Sequence, residues 1–283
     1  RASIRGSNVT LQRSTFTISG RGSTNGVEMF HIDQLAKLVE TDFVVRDVNA
    51  SITASRGEAK LVKMKVSDFH RSNFTVVDSN INISTTTNAN FMDLIQSWVE
   101  DASILVKNSV ININGVASGG TEENVVDVFH FGRYADIFNS TFHLHASTFN
   151  LDGVNSSTAF VFIDTTATTG AGCEYTLDGA TRLSMGSKSS STGIIGGSEQ
   201  VKSKLLIHDS AALSASCSGA WCKASLATLT NNSFGLSVTI SASAQVHVSG
   251  QIHAALISFE PNDPSSMTLM SDVITIKSSA NVT

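Results

Sequence analysis

The stretch FTVVDSNINIS, Phe74 to Ser84, returns as ILVKNSVININ from Ile104 and as ADIFNSTFHLH from Ala135. Self-similarity at a period of about 20–50 residues restricts a chain to stacked architectures, because one such unit cannot bury its apolar face alone. Within a copy the side chains alternate as strands require, with Ile81 and Ile83 on one face and Asn80, Asn82 and Ser84 on the other. The same inward pair can be followed as Phe16/Ile18, Ala50/Ile52, Ile81/Ile83, Ile111/Ile113 and Phe142/Leu144. It continues as Thr181/Leu183, Leu213/Ala215, Val246/Val248 and Ile274/Ile276, at a mean spacing of about 32 residues.

Each unit divides into three strand-like pieces rich in Val, Ile, Phe and Thr. In the third unit they are NFTVVD, NINIS and NFMDLIQ, and in the fourth SILVKN, VININ and NVVDVFHF. Two prolines in 283 residues fit strands that are paired on both sides, where a missing N–H would break the ladder. The predicted fold is therefore all-β: a right-handed parallel β-helix of about nine coils, about 32 residues per coil, with three short strands in each. A single solenoid segment spans residues 1–283, regular over 1–165 and less regular over 166–283, where Gly/Ser stretches such as GSKSSSTG blur the period. FHIDQLAKLVE (Phe30 to Glu40) carries helical spacing and fits either a short helix or a long corner. A leucine framework, as in leucine-rich repeats, is absent, and propeller blades need more strands and aromatics per unit.

Just before the second strand stands Asp47, Asp78, Asn108, Asn139 or Asp178, then usually a small residue. Such side chains favour turns by bonding the backbone about two residues on, so the five predict a polar ladder along one corner. Asn at two of the rungs and the lack of a GGxGxDxUx repeat argue against a carboxylate metal ladder. No metal and no cofactor are predicted.

A net charge of −5 and a pI near 5.9 exclude the basic footprint of a nucleic-acid binder. No apolar run approaches the ~18 residues of a membrane-spanning helix. The chain opens at Arg1 without a signal-peptide pattern, and a processed protein or a segment of a longer one is expected. Sequons at Asn8, Asn49, Asn73, Asn82, Asn139, Asn155, Asn231 and Asn281 predict a glycosylated protein outside the cell or on its surface. Asn139, expected to be buried in the corner ladder, is the exception predicted to stay unmodified. Cys217 and Cys222 in CSGAWC either close a small disulfide loop or remain thiols, with Cys173 free or paired elsewhere.

Asx corners with stacked Ile, Val and Phe resemble the pectin-lyase-like parallel β-helix group. The NxT-V-x-(D/N)-S-x-I style of repeat is similar to that of large eukaryotic surface proteins, such as the adhesin-like dispersed gene family of kinetoplastid parasites. The resemblance implies a surface or adhesive role, and for the enzymes of the group polysaccharide cleavage by acidic or basic residues on an outward sheet face. The candidates for such chemistry here are Asp93 in FMDLI and Asp127 in VVDVF. If these strands are aligned on their apolar neighbours, the two carboxylates lie one rung apart, near the ~5 Å of a retaining glycosidase pair. As solvated outward residues they would need no function, and no third group joins them.

His130, His143, His145, His247 and His253 offer possible ligands. His143 and His145 share a solvent face, but no carboxylate stands near them in the chain. Trp98 and Trp221 lie too far apart to form one sugar platform, GIIGG lacks the lysine of a phosphate loop, and no GxSxG elbow occurs. Asn82 and Asn112 share an outward column one coil apart. The sequence thus predicts an extracellular structural or adhesive solenoid rather than an enzyme. Its partners would be glycans, copies of itself or further coils of the same chain. The alternative is a polysaccharide-degrading lyase or glycoside hydrolase on the same scaffold.

Overall fold

The alternating pieces are strands, and each pairs in parallel with its counterpart one coil away in the computed structural model. The structure describes residues 3–20, 26–33, 35–116, 125–154, 157–163, 167–169, 172–188, 190–196, 199–201, 203–220, 222–229, 232–234, 236–259, 269–270, 273–277 and 280–283. The described strands form three sheets of nine, eight and sixteen strands, a parallel β-solenoid without helix. Counted as turns about 33 residues apart there are about six, and counted by strands there are eight coils and part of a ninth. The coil count thus differs slightly from the expected count of about nine.

A coil contains four strands rather than three. The three expected pieces occupy the sixteen-stranded sheet, which carries two side-by-side ladders, and the eight-stranded sheet. The fourth is a three-residue strand such as Asp68–His70, Trp98–Glu100 or Asp136–Phe138. Three residues are too few to show an alternation, so periodicity did not reveal it. FHIDQLAKLVE resolves into strand Val27–Ile32, a corner, and strand Lys37–Val39.

Inside the coils run apolar columns. Phe16, Ala50, Ile81 and Ile111 stack in register, but the next member is Phe149 and not Phe142. Phe142 belongs to the neighbouring ladder, between Ile104 and Tyr175. FHL and FNL, seven residues apart, match the repeat equally well, and the slip carried Asn139 with it. Of the later members, Leu213 and Val246 stand where expected, whereas Thr181 and Ile274 do not. Leu183, Leu213 and Val246 continue the column to Val282, while Ile274 pairs with Val238 in the other ladder. Phe74, Phe91, Phe129, Phe142, Phe149 and Tyr175 interlock through mostly edge-on contacts of 5.0–6.2 Å between neighbouring rings.

Three of the four corners of a coil are turned by a residue in the left-handed region. At the corner between the two ladders these are Arg13, Asp47, Asp78, Asn108, Ala146, Gly179, Asp209 and Ala242, with φ between 46° and 60°. Asn139 (φ 44°) turns a different corner, beside Glu40, Arg71 and Asp101, and Asp178 is the last residue of its strand. The expected Asx ladder therefore shrinks to one bond, from Asn108 Nδ2 to Asp78 Oδ1 at 3.2 Å.

The vertical link at that corner is made by the next residue. Ser79 Oγ donates to Val77 O (2.8 Å) and accepts from Val48 N on the preceding coil (3.2 Å). Ser109 Oγ donates to Lys107 O and accepts from Ser79 N, Ser147 Oγ accepts from Ser109 N, and Thr181 Oγ1 accepts from Ser147 N. All four hydroxyl residues are buried. Each supplies the acceptor that a corner N–H, turned out of the ladder, would otherwise lack.

Two substitutions separate the ladders. Ser109→Ala strands a buried N–H and is expected to cost about 1–3 kcal/mol in urea unfolding. Asn108→Gly relieves a left-handed strain of about 1 kcal/mol and is expected to be neutral or stabilising. The reverse order would restore the Asx ladder as the structural element.

Candidate functional site

Strands of the eight-stranded sheet break the alternation. Leu61 and Val62, Phe91 and Met92, Val128 and Phe129, and Phe160 and Val161 are successive core residues. Two inward residues in a row bend a strand as a bulge does. The outer side chains on either side, three positions apart, then lean together. Glu28 meets His31 at 3.7 Å, Asp127 Oδ2 meets His130 Nδ1 at 2.8 Å, and Ser225 Oγ meets Thr228 Oγ1 at 2.7 Å.

A buried charged network fills this bend over the first coils. Lys60, 2% exposed, donates to Asp93 and lies 2.6 Å from Glu58 Oε2. Lys63 reaches Glu28 at 3.3 Å and Glu58 at 3.6 Å. Asn90 Nδ2 donates to Asp127 Oδ1 at 2.7 Å, and Phe162 stacks on the His130 ring at 4.9 Å. Burial alone would lower the Lys60 amine, but the Asp93 and Glu58 charges outweigh it and hold it above its ordinary range. Burial would raise Glu58, and Lys60, Lys63 and Asn88 bring it below.

Loss of solvent drives Asp127 above the usual carboxylate range in spite of His130 and Asn90. The same loss would lower His130, yet the Asp127 carboxylate lifts it to about 9. Both partners move upward. With one oxygen of Asp127 taking the Asn90 amide and the other the imidazole, we assign the pair as carboxylate and imidazolium.

The network binds itself. Asp127 stands opposite Asn90 and Asp93 opposite His130, three positions away from the expected adjacency. Aligning FMDLI with VVDVF by apolar neighbours gave the wrong register, because the bend puts two core residues between the polar ones. Asp93 and Asp127 are buried rather than solvated, and Lys60, Asn90 and His130 engage them. Sequence reasoning missed Lys60 and Lys63. Their signal was a pair of lysines three apart around two apolar residues, in a chain with only 15% charged residues.

The other expected positions are spread over the surface. Asn8, Asn49, Asn73 and Asn281 are exposed, whereas Asn155 and Asn231 lie outside the described residues. Asn139 is exposed too, which removes the burial expected to keep it unmodified. Asn82 heads an amide ladder: Asn112 Nδ2 donates to Asn82 Oδ1 and Asn150 Nδ2 to Asn112 Oδ1, both at 2.8 Å. Cys217 and Cys222 form a disulfide, with Cα atoms 5.9 Å apart. Cys173 is a buried free thiol pushed up to about 11 by loss of solvent. Trp98, partly exposed, packs on Phe138 one coil away at 5.1 Å, a neighbour that the sequence spacing hid; Trp221 lies outside the described residues.

No protein-family model matches the chain, and neither a curated protein nor a solved structure matches it significantly.

Removing one member of the charged network is expected to cost far more than removing the network. Lys60→Met leaves the buried Asp93 without a cation, and Glu58 with Lys63 alone, and should destabilise by about 3–5 kcal/mol in urea unfolding. Adding Asp93→Leu and Glu58→Gln should recover most of that loss. His130 is raised from 6.5 to about 9, so its stabilisation is complete below pH 6.5 and disappears as pH rises through 9. Stability is expected to fall across that window, and His130→Gln should flatten the fall.

Proposed function

We propose that the protein is an extracellular structural or adhesive β-solenoid, a rigid glycosylated component of a surface or filament. The observation that carries this reading is the outward face of the second ladder, where Asn82, Asn112 and Asn150 form a bonded amide row. Ser51 extends the row at one end and Ser184 at the other, one residue per coil. A row repeating at the inter-coil spacing of about 4.8 Å offers the same donors and acceptors again and again. Such a face suits a regular polymer or a second copy of the chain better than a single small molecule. The resemblance of the repeats to adhesin-like surface proteins and the exposed sequons support the location outside the cell.

Sugar binding would use Trp98 and Phe138. Their rings are tilted by 37° next to each other, and Glu100 Oε2 accepts from Trp98 Nε1 at 3.2 Å, which leaves an aromatic surface edged by polar groups. Polysaccharide cleavage is the weaker reading, because the carboxylates it needs are engaged inside the buried network.

Electron microscopy of source-purified material, with glycopeptide mapping of the same sample, tests the proposal. Rods or filaments with occupied sequons are expected; an unglycosylated particle that cleaves polysaccharide would overturn it. A charge in the amide row, Asn112→Arg, should abolish lateral association, at a cost of about 1–3 kcal/mol in unfolding free energy for the two amide bonds it removes. Trp98→Ala should weaken retention on a glycan array without affecting association.

A further inference from the structure

Beyond that role, the geometry points to a metal site on the outer face of the first ladder, formed by His143, His145 and Asp178 and selective for a zinc-class divalent ion. His143 and His145 alternate along one strand, and parallel pairing sets Asp178 directly beside His145 on the next coil. His145 Nδ1 lies 2.7 Å from Asp178 Oδ1, and His143 Nε2 lies 2.9 Å from the same oxygen. The three ligand atoms all fall within 4.8 Å of one another. The sequence offered two histidines without a carboxylate; the coil brings one from 33 residues further along the chain.

Three features distinguish this group from an ordinary surface ion pair. The imidazole rings meet edge to face, with centroids 5.9 Å apart and planes at 76°, so their nitrogens converge on the carboxylate instead of stacking. His143 Nε2 is buried and, although close to Asp178, makes no hydrogen bond of acceptable angle. The imidazole nitrogen and the carboxylate oxygen are thus held close without a well-formed hydrogen bond, a contact that a bridging cation would satisfy. Gly179, at φ 60°, turns the chain immediately after Asp178, and a Cβ there would stand 3.3 Å from His145 Cε1. The glycine thus leaves the ring its place against the corner.

Neutral imidazoles with a carboxylate suit zinc, nickel or copper, whereas calcium and magnesium take mostly oxygen ligands. Bond lengths of about 2.0–2.2 Å require only a small spreading of the three ligand atoms around an ion. Each histidine ring is about one third exposed, so water can complete a tetrahedral shell. His208 and Asp209 on the following coil form an adjoining group that shares Asp178. An ion held this way ties one coil to the next from outside.

Titration of the untagged, metal-stripped full chain with Zn²⁺ tests the site, by calorimetry and by the shift in unfolding temperature. One ion per chain is expected at His143, His145 and Asp178, with a rise in unfolding temperature that grows with free ion. His143→Ala/His145→Ala and Asp178→Asn should each weaken binding at least tenfold, while His253→Ala on another face should bind as wild type. The substituted side chains lie on the outer face, and unchanged metal-free unfolding of the variants shows that they still fold. Co²⁺ in place of zinc should give a visible spectrum that the double variant lacks. No binding at millimolar Zn²⁺, or binding that survives in the double variant, would overturn the proposal.

Discussion

The backbone bond between coils at the corners is the constraint on which the rest of this structure depends. A solenoid gains its core only if every coil closes at the height of one strand spacing. The chain must therefore turn sharply at the same place in each coil without losing a backbone partner. One left-handed residue makes the turn, and a buried Ser or Thr hydroxyl then receives the N–H of the preceding coil's corner. Side chains at the left-handed positions vary from Arg to Ala, so the turn tolerates many residues. The hydroxyl position holds Ser79, Ser109, Ser147 and Thr181 over the middle coils, whereas Val48, Ala211 and Ala244 take it in the coils on either side.

A register fixed at the corners makes the irregular third sheet possible. Two core residues in succession bend each strand there, and this bend lets charged side chains meet on the outer side while their stems are enclosed. Buried ions of this kind are poor evidence of net stability, since matched apolar residues often do as well. What they impose is alignment: a slip of one residue would move Lys60 into the position of Leu61, inside the core, and leave Asp93 on the neighbouring coil without its cation. The network links the second and third coils through Lys60 and Asp93, and the third and fourth through Asn90 and Asp127.

The two polar arrangements on the outside follow from the same stacking. Asn82, Asn112 and Asn150 are 30 and 38 residues apart and bond as neighbours. His143 and His145 meet Asp178 in the same way. Parallel stacking turns a residue repeated once per coil into a continuous row, and residues of different type at equivalent places into a site. The first yields the regular surface of the proposed structural role; the second yields the candidate metal centre.

The sequence by itself determined the class of fold. Alternation in Ile81/Ile83 and Ile111/Ile113, recurring about every 32 residues with almost no proline, leaves a parallel solenoid as the way to bury those faces. It also determined the inner residues of most strands and the outward column of Asn82 and Asn112. It could not decide between FHL at 142 and FNL at 149, because both satisfy a two-residue period; only pairing with Ile111 on one side and Leu183 on the other did. Nor could it show the three-residue strands, the bend that separates Asp93 from Asp127, or the approach of Asp178 to two histidines. Period and polarity are local properties of a chain, while register is a relation between coils, and it was register that brought together Lys60 and Asp93, Asn90 and Asp127, and His145 and Asp178.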